Sequence, residues 1–379
     1  MHILLSQHPV SWCLLSTAFF FMAIQQQLGR LRLALSLAHL PVMYKGLALC
    51  HVTMIPYSDI WVTVALGATL HTSSLLFLRG SIVGPDHGTA RQRLHKTFRI
   101  WINFRLLPLG EDKMHGSRRG PTARERGCFL VGRCKHILAL VLIHIATTNA
   151  MSATIRPLNV SVHDFAPSQR GILPSLAYRD VVLRMVMSVQ WIWATYVVFS
   201  LGHKVLAMFF VSITGWDLPS DWPPLFGSIL EAYTLRRFWG VFWHRLHLGV
   251  CNAVISLLLS RGDDSTTGKT ARQGARKDRL AIKGLRALLT FLISAVYHAA
   301  VNKLVSGSAN LREESRFFLS SFAVCLIETV VSEVARREGL PQGRLHIGFR
   351  LLGHFWVLFV FFCTVPAWHY PKIYPAANS

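Results

Sequence analysis

About eight stretches of this chain are apolar for most of the ~20 residues that a helix needs to cross a bilayer, and that repetition decides what it can fold into. They fall at residues 9–24, 31–50, 59–78, 136–153, 186–213, 286–304, 316–334 and 351–368. Hydrocarbon offers no water to backbone N–H and C=O groups, so a spanning segment must close its hydrogen bonds internally and is predicted as helix. The chain is 52% hydrophobic with a mean hydropathy of +0.38, which excludes an ordinary soluble domain. The predicted class is an all-α polytopic membrane protein, a single membrane-embedded domain over residues 1–379. One more apolar run, 248–260, is too short to span and reads as re-entrant or tilted. Residues 231–247, just before it, read as an amphipathic helix rich in aromatics and arginine.

Charge gives the orientation. There are 40 Lys and Arg against 18 Asp and Glu, for a net charge of +22. Basic chains often bind nucleic acid, but here the basic residues lie in loops between apolar runs, the positive-inside pattern. No nucleic-acid partner is expected. The loops at Arg30 and Arg32, 79–135, 214–286 and 335–350 share one face, predicted cytosolic. The long basic loop 79–135 contains FRIWINFRLLPLG, suited to the headgroup plane, and MHGSRRGPTARERG, which reads as polar and flexible. On the opposite face, Asn159-Val160-Ser161 forms an N-glycosylation sequon. The opening run lacks the basic start and small-residue cleavage site of a signal peptide and is read as a first span. None of the seven cysteines forms a C-x-x-C pair, which argues against a zinc site or a disulfide framework. No P-loop, dinucleotide or H-E-x-x-H motif is present, so neither a metal nor a bound cofactor is expected.

Within the run 286–304, His298 lies near the midpoint, and Thr290, Ser294, His298 and Asn302 recur four apart. Such residues stack on one helix face. A polar stripe in a spanning helix faces protein, water or a substrate rather than lipid. By itself it fits a buried, hydrogen-bonded histidine as well as a working one. A second constellation, RRFWGVFWHRLH, runs from Arg236 to His247. On a continuous helix Arg237, Gly240, His244 and His247 would share one side, with Trp239 and Trp243 along its edge. An interfacial anchor accounts for the tryptophans and arginines, but not for His244.

Together the two stretches resemble the wax-synthase-like branch of the membrane-bound O-acyltransferases. That group is marked by R-x-F-W-x-x-x-W-H, here Arg236, Phe238, Trp239, Trp243 and His244, and by a later histidine behind F-x-x-S-[GA], here Phe291, Ser294, Ala295 and His298. The resemblance covers residues 216–300 and runs to fungal members that acetylate terpenoid and meroterpenoid alcohols. Arg245 departs from the glutamine that many relatives carry after the first histidine. The resemblance implies transfer of an acyl group, acetyl first, from acetyl-CoA or another acyl-CoA to a hydroxyl of a hydrophobic small molecule in secondary metabolism. It implies an endoplasmic-reticulum membrane setting with lipids around the chain. His298 becomes the implied general base, since a neutral imidazole titrates near operating pH, and Ser294 and Asn302 are candidates to orient it. His244 takes an implied supporting role at the thioester or oxyanion, with Trp243 and Trp239 shaping the pocket. Arg236, Arg237 and Arg245, or the basic residues of 269–279, are candidates for the phosphates of coenzyme A; they serve equally as positive-inside or anionic-lipid contacts. A long-chain donor with a fatty alcohol, as in wax-ester synthesis, is the nearest rival. A transporter or lipid-binding protein using the stripe as a passage is a rival of another class.

Overall fold

A computed structural model describes residues 8–27, 29–53, 58–78, 83–84, 88–104, 120–171, 177–259, 274–338 and 347–374. Regular structure among them is helical throughout. In chain order the longer helices are α1 (Pro9–Ile24), α2 (Arg30–Thr53), α3 (Ser58–Ser73), α4 (Ala90–Ile102), α5 (Ala123–Ile155), α6 (Tyr178–Met208), α7 (Leu248–Leu259), α8 (Gly274–Ser306), α9 (Leu311–Arg337) and α10 (Ile347–Ile373). Among the described residues six segments are long and apolar enough to cross a membrane: Asp59–Leu78, Ala123–Leu158, Tyr178–Ile213, Ala281–Ser306, Leu311–Arg337 and Ile347–Ile373. The all-α polytopic membrane class therefore stands, with six such helices where the sequence suggested about eight. Of the other two, α1 is apolar but has only 16 residues. Helix α2 has 24 but carries Arg30, Arg32, Lys45 and an internal Pro41.

The described residues form two compact units. The first comprises Met1–Leu109 with Arg245–Ser315, and the second Gly110–His244 with Arg316–Ser379. In the first, α1, α2 and α3 are tied by a buried histidine. His39 lies 2.6 Å from Ser16 Oγ through Nδ1 and 2.8 Å from Thr72 Oγ1 through Nε2. A helix buried on this side would otherwise leave a polar ring unsatisfied, so the three helices are held in one register. Helix α4 arises inside the basic stretch expected to be a loop, started by a capping box between Thr89 and Gln92. Its Ile100 and Trp101 pack on Phe20, Ile24, Leu75 and Val83.

In the second unit α5 begins at Ala123, well before the expected boundary at 136, because Thr122 and Glu125 form another capping box. The last part of the stretch read as flexible is thus helical; residues 105–119 lie outside the described residues. Helix α6 runs unbroken through Gly202 and His203 and ends in a π-helical turn, Phe209–Ile213. Near its start Arg184 is fully buried, donating to Asp180 Oδ1 at 2.9 Å and to the carbonyls of Gly171 and Gln169 at 3.0 and 2.7 Å. The neighbouring Arg179 clamps Asp164 through two contacts of 2.6 Å, and that hydrogen bonding holds the Asp164 carboxyl below the usual carboxylate range.

Candidate functional site

The polar stripe of α8 is present in the first unit. Thr290 and Ser294 each donate their hydroxyl to the carbonyl one turn back, at 2.8 Å. That leaves the Ser294 oxygen lone pairs for a donor in the turn above. Asn302 donates from Nδ2 to Glu314 Oε1 at 2.6 Å. Between them His298 is half-buried, its ring edge-on to Tyr297 at 5.4 Å. Tyr297 is buried and donates its hydroxyl to the Thr63 carbonyl of α3.

Against the other side of Tyr297 lies His247, with ring centroids 4.5 Å apart. Gly67 of α3 makes room for both. A Cβ added there would sit 3.2 Å from His247 Cε1 and 3.3 Å from Tyr297 Oη, so a side chain would push one ring aside by a few tenths of an ångström. His247 precedes α7 and lies outside the spanning helices. Burial pushes its imidazole down to about 4. An unfolded chain binds that proton near pH ~6.5, whereas the folded one does not until about 4. The stabilisation is therefore complete above the unfolded value and is lost as pH falls toward the folded one. Detergent-purified protein is expected to melt progressively earlier between pH 7 and 5, and a His247→Phe variant is expected to lose part of that slope. An identical slope in the variant would show that other groups set the acid limit.

The signature segment lies in the second unit as far as His244, and its shape corrects the expectation of a helix over 231–247. A single turn, Leu235–Arg237, passes into a π-helical turn, Phe238–Phe242. Trp243 then adopts extended backbone angles (φ −65°, ψ 152°) and ends the helix, its N–H donating to the Phe238 carbonyl at 2.8 Å. Arg237, Gly240, His244 and His247 therefore do not share a helix face. Tertiary packing overrides the helical spacing here. The Trp243 ring stacks on Phe238 at 5.1 Å and meets Trp191 of α6 at 5.2 Å. From the other flank the Gly227 N–H donates to the Phe242 carbonyl at 2.8 Å.

Two acids hold this segment. Glu328 of α9 accepts the Leu235 and Arg236 backbone N–H groups at 2.8 Å each and Trp356 Nε1 at 2.9 Å. Glu231 takes Arg237 through its carbonyl at 2.8 Å and through its carboxylate, and takes Arg350 at 2.8 Å. Arg237 also lies over the Tyr233 ring, 4.6 Å from its centroid. Arg236 and Arg245 are exposed. His244 sits among aromatics: Phe199 at 5.0 Å, Trp243 at 5.3 Å and Phe226 at 5.7 Å. Trp239 packs against Trp243 at 5.7 Å and Phe361 at 6.1 Å. A neutral imidazole in such surroundings has one N–H to donate and one lone pair to accept with.

Residues 222–320 match the Membrane bound O-acyl transferase family, and both histidines lie inside the match. This segment is homologous to the membrane-bound O-acyltransferases. Fungal acetyltransferases extend the similarity. Acetyltransferase TRI7 of Fusarium sporotrichioides is 30% identical over 196 residues, 48% of this chain and 40% of the relative. Acetyltransferase atnC of an Arthrinium species is 26% identical over 295 residues, 76% of this chain and 65% of the relative. The O-Mevalon transferase yanI of Aspergillus niger is 32% identical over 151 residues, covering 38% of this chain and 32% of the relative. The chain thus spans less than two thirds of the length of each of these relatives. No solved structure matches it.

Sequence spacing located His298, Ser294, Asn302, Trp239, Trp243 and His244, and the structure gathers the first three in one unit and the last three in the other. The basic residues of 269–279 lie outside the residues whose side chains are described. Trp191, Tyr297, Glu314 and Glu328 were not singled out by sequence. For Glu328 a signal existed: it is a carboxylate inside the apolar run 316–334, and such residues seldom lack a task. Among the described residues no three His, Cys, Asp or Glu side chains are grouped to hold a metal. Several other intramembrane histidines have ordinary partners: His71 donates to the Ile100 carbonyl at 3.0 Å, and His144 accepts from Trp193 Nε1 at 3.2 Å.

Proposed function

We propose that this protein is an acyltransferase that moves an acetyl group from acetyl-CoA to a hydroxyl of a hydrophobic small molecule, a terpenoid or meroterpenoid alcohol of secondary metabolism, in the endoplasmic-reticulum membrane. The observation that carries the reading is a histidine in a polar stripe of an apolar helix, inside a segment homologous to O-acyltransferases. His298 takes the hydroxyl proton as the alcohol oxygen forms its bond to the thioester carbonyl. The tetrahedral adduct then collapses, the C–S bond breaks, and the imidazolium returns the proton to the departing thiolate. His244 donates to the developing oxyanion, and Trp243 and Trp239 hold its surroundings dry, which strengthens any such donor. Arg236, Arg237 and Arg245 are the candidates for the phosphates of coenzyme A, and Arg237 is also held by Glu231.

Removing one oxyanion donor typically costs about 100-fold or more in turnover. His244→Ala is expected to show that loss per folded molecule, and a change in abundance alone would assign His244 to the scaffold. The names of the relatives support acetyl first, although the O-mevalon transferase favours testing longer acyl groups. Membranes from a host expressing the chain, fed terpenoid alcohols with labelled acetyl- or palmitoyl-CoA, are expected to yield the acetyl ester by mass spectrometry. Palmitoyl esters alone would support the wax-ester reading, and no ester in detergent-purified protein would remove the enzymatic one. The orientation has its own test. Asn159 is exposed in a left-handed turn (φ 45°), and an endoglycosidase mobility shift absent from Asn159→Gln is expected if that end is lumenal.

A further inference from the structure

Resting on the reading of His298 as the base, we propose that Glu314 is its positioning residue, acting through Asn302. Glu314 lies in the first turn of α9, within the first unit, and is fully buried at 0% exposure. A carboxylate taken from water is costly unless it is hydrogen-bonded, and Asn302 Nδ2 supplies a bond of 2.6 Å. The connection between α8 and α9 is built to bring them together. Gly307 (φ 76°) and Asn310 (φ 42°) both take left-handed angles and turn the chain back sharply. The Gly307 N–H then donates to the Lys303 carbonyl and the Glu314 N–H to the Asn310 carbonyl, each at 3.1 Å.

The consequence for His298 follows from the chemistry of the amide. An asparagine has a donor edge and an acceptor edge. With Nδ2 given to Glu314, the carbonyl edge is the one left for a neighbour. Helical side chains lean toward the N-terminus and cover the preceding turn, and the residue there is His298. A neutral imidazole carries one N–H and one lone pair. An acceptor fixed beside one nitrogen selects the tautomer whose other nitrogen takes the substrate proton, the task that an orienting group performs for other catalytic histidines. Ser294 donates its hydroxyl to the Thr290 carbonyl at 2.8 Å and keeps lone pairs, so it can accept from the imidazole but not donate to it.

The test compares Glu314→Ala, Glu314→Gln, Asn302→Ala, the double alanine variant and His298→Ala in the same membranes. Glu314→Ala and Asn302→Ala are each expected to lower kcat about tenfold or more with KM for both substrates within about twofold. The double variant is expected to be no worse than the poorer single one, because residues acting in series are non-additive. Glu314→Gln keeps an acceptor oxygen for Asn302 and is expected to restore kcat to within about threefold. Wild-type kcat in Glu314→Ala, multiplied losses in the double variant, or losses confined to abundance would overturn the proposal. Should Glu314→Ala fail to accumulate, Asn302→Ala answers the same question, since wild-type kcat there breaks the link between Glu314 and His298. An active His298→Ala would remove the base itself, whereas an inactive one beside unaffected Glu314 and Asn302 variants would remove only the positioning role.

Discussion

Replacing His298 with alanine is expected to lower turnover about 100- to 10,000-fold, the usual worth of a general base, with insertion and abundance unchanged. The structural cost is small for a stated reason. His298 is half-buried, and its buried neighbour Tyr297 makes the contacts to the core, binding Thr63 of α3 and meeting the His247 ring. Removing the imidazole leaves those contacts in place. Initial rates on labelled acetyl-CoA, normalised to folded protein, decide the matter. Full activity in His298→Ala would leave the polar stripe as a buried hydrogen-bonded row and no more.

Gly227→Ala is expected to have a large effect on the scaffold. An added Cβ would lie 2.2 Å from the Val241 carbonyl oxygen and 3.1 Å from its carbon. Both obstacles are backbone, so no rotamer change relieves them. The Gly227–Phe242 hydrogen bond of 2.8 Å would have to open as well. Overpacking typically costs about 1–3 kcal/mol, and an immovable neighbour puts this site at about the top of that range or above. A lowered melting midpoint in detergent is expected, with activity falling too, because the strained turn leads directly into Trp243 and His244. Gly240→Ala is the control, since a Cβ there meets open space. Equal midpoints for the two variants would show that the turn yields without cost.

The contrast between those two glycines also marks how much of the molecule was legible in the sequence. Membrane class and the His298 stripe follow from periodicity, because a spanning helix has one backbone solution and its polar residues must stack at that period. The same rule applied to Arg236–His247 misplaced four residues. There, aromatic rings from α6 and a close backbone approach at Gly227 impose a π-turn and an extended Trp243. Such contacts join residues far apart in sequence and leave no local period. Glu314 was missed for a related reason: its importance lies in a partner on the preceding helix, across a turn made by two left-handed residues. Helix α4 and the early start of α5 were, by contrast, readable in principle. Thr89 with Gln92 and Thr122 with Glu125 are capping boxes at the proper spacing, hidden only by the charge of the loop around them.

Helix α5 has 33 residues, of which Leu140 alone is buried. At 1.5 Å per residue it is about 50 Å long, some 20 Å more than the hydrocarbon it crosses. Its basic end is pinned: Arg133 donates to the Trp222 carbonyl at 3.1 Å, and the Arg126 carbonyl accepts Ser212 Oγ at 3.1 Å. The apolar run 136–153 already matches that thickness, so the surplus is this basic end, which projects past the hydrocarbon. The fastening point, Trp222, is the first residue of the acyltransferase-homologous segment. The projecting turns of α5 therefore brace the start of that segment outside the hydrocarbon.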